Sequence, residues 1–134
     1  MKVLISGGGT GGHVYPALAV VEALLQPEST GAAVPSMEAG ELLWIGSEEG
    51  IEKEFVEHAH IKYVGLPAGG LRGKGLAESL RNALRILGSV GKAREILAEF
   101  CPDVVFVTGG YACVAVTLAA RMARIPVLVY LPDI

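Results

Sequence analysis

The sequence predicts an α/β domain built on a parallel sheet with helices on both faces, and three observations support it. Short apolar runs alternate with amphipathic stretches along the whole chain. Apolar residues supply 51% of the chain and charged residues only 19%, a profile of strands buried on both faces. Two of the apolar runs end in glycine turns that lead into helical patterns, as strands do where they join helices in βαβ units. At 134 residues the chain is long enough for one domain with a core, spanning 1–134.

In chain order, Lys2 to Ser6 reads as a strand and Tyr15 to Leu25 as a helix, with Pro16 suited to its first turn. Leu42 to Ile45 is the second strand, Ile51 to His58 a helix, and Ile61 to Val64 a short third strand. A long helix from Leu76 to Phe100 leads to strand Val104 to Val107. A helix from Cys113 to Met122 and a strand from Val127 to Tyr130 complete the pattern. Between Gln26 and Glu41, Pro27, Gly31, Pro35 and Gly40 interrupt any periodicity, which predicts an exposed loop. No internal repeat is visible.

Composition excludes several classes. Cys101 and Cys113 show neither metal-ligand nor CxxC spacing, so both are expected reduced and buried, in a cytoplasmic protein. Lys2 to Ile5 runs straight into glycines without a signal-type apolar region, and no stretch approaches the roughly 20 apolar residues of a membrane span. No metal cluster and no cofactor are implied. The net charge of −3 argues against general nucleic-acid binding. The charge is uneven, however. Between Arg72 and Arg94 lie six of the 11 basic residues but only one of the 14 acids, Glu78. A basic segment on an acidic domain points to an anionic partner.

The first glycine turn, Gly7 to Gly12, follows the first strand and ends at His13. Glycines let the backbone approach a ligand closely, and the helix that follows offers free N–H groups and a positive dipole end to an anion. Gly7-x-Gly9-x-x-Gly12 also fits the dinucleotide fingerprint in form, with Glu48 and Glu49 as the acids after the second strand. A Walker loop is excluded because no Gly-Lys-Ser/Thr follows. His13 is either a phosphate donor or general base, or a histidine that caps and packs at the turn. A second turn, Thr108-Gly109-Gly110-Tyr111, repeats the strand–glycine–helix join, so both turns are expected to face one crevice. Tyr111 either takes part there or packs.

In the basic segment, Arg72 and Lys74 sit in a glycine-rich loop. Helical spacing then places Arg81, Arg85 and Lys92 within about 40° of one another. Leu76, Leu80, Leu84 and Leu87 run alongside and are expected to pack in the core. The stripe reads either as a surface for anionic lipid headgroups or as a solvated face, with Glu78 paired to Arg81 and Glu95 to Lys92.

Gly8-Gly9-Thr10-Gly11-Gly12-His13, Pro16-Ala17, Leu43-Trp44-Ile45-Gly46, Gly70 to Gly75, Pro102 to Val105 and Gly109-Gly110-Tyr111 occur in that order. Together they resemble the N-terminal half of the MurG family, bacterial transferases that add N-acetylglucosamine to lipid I. The resemblance covers nearly the whole chain apart from Gln26 to Glu41. It implies one half of a GT-B glycosyltransferase fold, a Rossmann-like parallel sheet whose partner, the C-terminal donor-binding domain, is absent from the sequence. It also implies a peripheral position on the inner face of the cell membrane, and a fragment inactive by itself. The substrates implied are a lipid-linked pyrophosphoryl acceptor and UDP-N-acetylglucosamine, the latter held mainly by the other domain.

By the resemblance, Thr10, Gly11 and Gly12 contact donor or acceptor phosphates, and His13 is catalytic or orients phosphate. Gly109, Gly110 and Tyr111 help form the acceptor pocket, and Arg72, Lys74, Arg81 and Arg85 face the membrane. Where the family has His-Glu-Gln-Asn after its last strand, this chain has Tyr130-Leu131-Pro132-Asp133, which puts Asp133 at the position of a donor-contacting asparagine. A carboxylate beside a pyrophosphate is unfavourable unless paired or protonated. Two other functions stay open: a recruiting subunit of a split lipid-linked sugar transferase, and a nicotinamide-binding domain of an oxidoreductase.

Overall fold

The computed structural model describes residues 1–8, 11–31, 36–48, 50–67 and 76–130, with backbone alone for helical residues 11–13, 29, 30, 76, 78, 79, 82 and 111. Strands β1 (Val3–Gly7), β2 (Leu42–Ser47), β3 (Lys62–Leu66), β4 (Val104–Gly109) and β5 (Val127–Val129) form one sheet. Its order is β3-β2-β1-β4-β5, and every pairing is parallel. Helices α1 (Gly11–Leu25), α2 (Pro27–Thr30), α3 (Glu52–His58), α4 (Leu76–Phe100) and α5 (Tyr111–Met122) connect the strands. The α/β class and all five strands agree with the sequence reading.

Side chains alternate across the sheet and divide the core in two. Val3, Ile5, Leu42, Trp44 and Phe106 pack with Ala17 and Val21 of α1 and Val56 of α3. On the other face, Leu4, Leu43, Ile45, Val105 and Val107 pack with Val90, Ala93 and Leu97 of α4 and with Ala115, Val116 and Ala119 of α5. The strand order reverses between β1 and β4. In open α/β sheets, ligands bind outside the carboxyl ends of the strands at that reversal.

Four expectations need correction. Helix α1 begins at Gly11 rather than Tyr15, so Pro16 lies inside it and cannot donate to the carbonyl four residues back. The Gln26–Glu41 segment is not simply a loop. It holds α2, capped by Gly31 at φ 73°, and a 3₁₀ turn over Ala39–Glu41. Buried Met37 ties it down by donating its N–H to Leu24 O at 2.8 Å.

Cys113 is buried as expected, but Cys101 is exposed, at a positive φ of 54° after the end of α4. Leu80, Leu84 and Leu87 are 64%, 60% and 66% exposed rather than in the core. The cause is length. Helix α4 has 25 residues against strands of six or fewer, so about 37 Å of helix lies over about 20 Å of sheet. Its C-terminal part carries the buried Val90, Ala93 and Leu97, and its N-terminal part overhangs.

Candidate functional site

The two glycine turns meet at the reversal. Strand β1 ends in buried Ser6, whose hydroxyl donates to Ile45 O at 2.8 Å. Trp44, fully buried, donates its indole N–H to Gly7 O at 3.1 Å. The Cys113 thiol reaches Gly109 O at 2.9 Å and Ser6 O at 3.1 Å, so it bridges the ends of β1 and β4. Burial pushes that thiol above its ordinary range, which keeps it protonated and unreactive. Between Ser6 and Gly7 the β1–β4 register slips, pairing Gly7 with Gly109. A slip of this kind re-aims the chain that leaves the sheet.

Beyond the slip, Gly8 donates its N–H to Gly109 O at 3.3 Å. Gly110 has φ +105°, and a Cβ there would stand 2.5 Å from Gly8 O. Glycine is required at this contact both by conformation and by space. Gly110 is also the N-cap of α5 and supplies no side-chain cap, so it leaves first-turn N–H groups of that helix available to a ligand.

Gly11, Gly12 and His13 form the first turn of α1, and Tyr111 is the first residue of α5. The structure therefore brings the backbones of six expected site residues (Gly11, Gly12, His13, Gly109, Gly110 and Tyr111) to two helix starts beside the crevice where the strand order reverses. Thr10, Asp133, Arg72 and Lys74 lie outside the described residues. Arg81 and Arg85 are exposed on the overhanging part of α4, next to the exposed leucines rather than at the crevice. Lys92 donates to Gly65 O at 3.2 Å, and among the described residues it forms no ion pair with Glu95.

Beside the second turn, Val107, Gly109, Gly110, Val114, Leu118 and Val129 border an almost wholly apolar cavity of about 360 Å³. The second glycine turn thus adjoins a shelf that favours an apolar group. Among the described residues no three His, Cys, Asp or Glu side chains are placed to hold a metal ion, and no helix is long and apolar enough to cross a membrane.

Glu52 carries no signal in the dinucleotide fingerprint, which points to Glu48 and Glu49 as the acids after β2. Glu48 is exposed, and Glu49 lies outside the described residues. Glu52, the first residue of α3, is completely buried. Its Oε1 accepts the Ser47 N–H at 3.1 Å and lies 3.0 Å from the Tyr63 hydroxyl, which also reaches Ser47 O at 2.6 Å. Burial, and then the charge on Glu52, push the Tyr63 hydroxyl far above its ordinary range. The available sequence signal was the spacing of Gly46 and Gly50 around this acid, which leaves room for a large buried side chain.

Fold and site together define a doubly wound α/β domain with paired glycine turns where its strand order reverses. The comparisons with known proteins agree. The model of the glycosyltransferase family 28 N-terminal domain matches residues 3–130, and the chain belongs to this family.

The chain is 41% identical over 132 residues to the UDP-N-acetylglucosamine--N-acetylmuramyl-(pentapeptide) pyrophosphoryl-undecaprenol N-acetylglucosamine transferase of Listeria welshimeri, covering 97% of this chain and 33% of that protein. It is 40% identical over 130 residues to the Bacillus subtilis protein of the same name, with the same coverage. The crystal structure of Acinetobacter baumannii MurG superposes with a TM-score of 0.72 at 30% identity, over 97% of this chain and 35% of that one. The chain therefore spans about a third of the length of the curated relatives it matches.

Proposed function

We propose that this chain is the acceptor- and membrane-facing domain of a UDP-N-acetylglucosamine transferase acting on a lipid-linked pyrophosphoryl sugar in peptidoglycan precursor synthesis. The observation that carries the reading is the contact between Gly8 and Gly110. It sets two phosphate-favouring helix starts on one crevice, beside an apolar cavity. The relatives' names supply the substrate class. The family assignment favours transfer over the nicotinamide-binding alternative.

In this reading the turn of Thr10, Gly11 and Gly12 and the turn of Gly109, Gly110 and Tyr111 hold the acceptor pyrophosphate by backbone N–H groups. His13 takes the proton from the acceptor hydroxyl as its oxygen attacks the anomeric carbon of the donor sugar. The bond from that carbon to the UDP oxygen breaks, and the leaving pyrophosphate carries away the electron pair. Positive dipole ends stabilise the charge. Asp133 faces the donor, which is held mainly by a second domain outside this sequence.

Arg72, Lys74, Arg81 and Arg85 contact anionic headgroups from the cytoplasmic side, and the exposed Leu80, Leu84 and Leu87 enter the interface. Turnover with UDP-N-acetylglucosamine and a lipid-linked acceptor tests this reading. The full-length protein is expected to transfer sugar, and His13→Ala to lower kcat about 100-fold or more. The 134-residue chain by itself is expected to be inactive. Efficient transfer by the short chain, or by the His13→Ala protein, overturns the assignment.

A further inference from the structure

Glu52 has no part in the transfer chemistry above, yet three separate segments make room for it. A Cβ on Gly8 would stand 2.7 Å from its carboxyl carbon, and one on Gly46 would stand 2.5 Å from Oε1. A Cβ on Gly50 would overlap the carboxyl group itself. Among the described residues Glu52 Oε2 is buried without a hydrogen-bond partner. A buried acceptor left without a partner is costly, so filling space does not by itself account for a carboxylate here; an aliphatic side chain would fill it without that cost.

What an aliphatic residue lacks is orientation. The Ser47 N–H and the Tyr63 hydroxyl fix Oε1 from β2 and β3, and the fixed carboxylate bears on Gly8. Gly8 in turn touches Gly110 and donates to Gly109 O. A continuous line of contacts therefore runs from β3 through Glu52 to both glycine turns.

We infer that Glu52 is a positioning residue for the crevice: it sets the height of Gly8 and, through it, the separation of the two turns. The inference rests on the reading of the crevice as a pyrophosphate site. Coupling along such a line is tested by a double-mutant cycle.

The probe is inorganic pyrophosphate, titrated calorimetrically into the full-length protein, with thermal unfolding followed in parallel. Glu52→Gln keeps the shape and is expected to bind within about twofold of the original protein. Glu52→Ala is expected to weaken binding about tenfold. Gly50→Ala, which displaces the carboxylate from a turn outside the crevice, is expected to do the same. In the double variant the two losses are expected not to add, because the new methyl has no carboxylate to push.

Variants that melt earlier but bind pyrophosphate like the original protein, or losses that add, overturn the inference. If Glu52→Ala and Gly50→Ala do not fold, the carboxyl ¹³C resonance of Glu52 in the unaltered protein decides. A shift on pyrophosphate binding supports the inference, and an unmoved resonance overturns it. Failure of the unaltered protein to bind pyrophosphate overturns the crevice reading and the inference with it. Binding that is indifferent to the variants overturns the inference alone.

Discussion

Gly110 lies against the carbonyl of Gly8, so close that a Cβ on Gly110 would come within 2.5 Å of that oxygen. Residues about a hundred positions apart in sequence thus fix each other's backbones where the sheet reverses its order. Both the integrity of the fold at this point and the width of the crevice depend on the contact.

Gly110→Ala meets two penalties together, a φ of +105° and an overlap with backbone that cannot rotate away. The expected loss of stability is about 2–4 kcal/mol, read by urea denaturation, with pyrophosphate affinity falling in the protein that remains folded. Gly31 is the control. Its φ is also positive, at +73°, but nothing lies within 4 Å of its Cβ position. Gly31→Ala is expected to cost only about 1 kcal/mol and to leave ligand affinity unchanged. Equal effects at the two glycines would contradict the role given to the contact.

The overhanging part of α4 offers a separable test. Arg81 and Arg85 are exposed, and neither belongs to a hydrophobic cluster among the described residues. Arg81→Glu with Arg85→Glu is therefore expected to leave the melting temperature within a degree or two, while abolishing co-sedimentation with vesicles rich in anionic lipid. Binding of the unaltered protein should also weaken as salt is raised, since headgroup attraction is screened within about 10 Å at 0.1 M. Unchanged vesicle binding by the double variant refutes the membrane surface.

The two thiols are expected to behave differently. Brief treatment with iodoacetamide at pH 8, followed by mass spectrometry of peptides, should label exposed Cys101 and spare Cys113. Cys113 and Tyr63 also set an alkaline limit. Both have their proton affinities raised by folding, from ordinary values of 9.0 and 10.0. Their contribution is complete below those values and is lost as pH rises above them, because the unfolded chain releases its protons first. Stability should therefore fall from about pH 9 upward, and Tyr63→Phe should flatten the part of the decline above pH 10. A stability curve level to pH 11 contradicts this.

Much of the architecture could be read from the sequence because strong local signals agreed with the tertiary solution. Helix α4 begins and ends at the expected residues, and both glycine turns stand where strand-to-helix joins were expected. Errors arose where tertiary context overrode local preference. Glycine at 11 and 12 has low helix propensity, yet the turn at the sheet reversal starts α1 there.

The leucines of α4 are periodic as in a core helix, but periodicity does not report how far the sheet beneath extends. Glu52 stands at the start of a helix, where local sequence carries no sign of burial. Its burial depends on gaps left by Gly8, Gly46 and Gly50, and only the folded chain brings those gaps together. For the crevice, the sequence supplied the backbone elements but not the acid behind them.

The overhang of α4 has a further consequence. Substitutions among its outward residues leave the packing of either core layer intact, so that stretch can change character at the expense of little more than local helix propensity. The cost of error there is small, and the range of workable sequences is wide. At the Gly8–Gly110 contact, by comparison, scarcely any alternative fits. Among proteins sharing this scaffold, the overhang should diversify with the surface each one meets, while the glycine contact stays as it is.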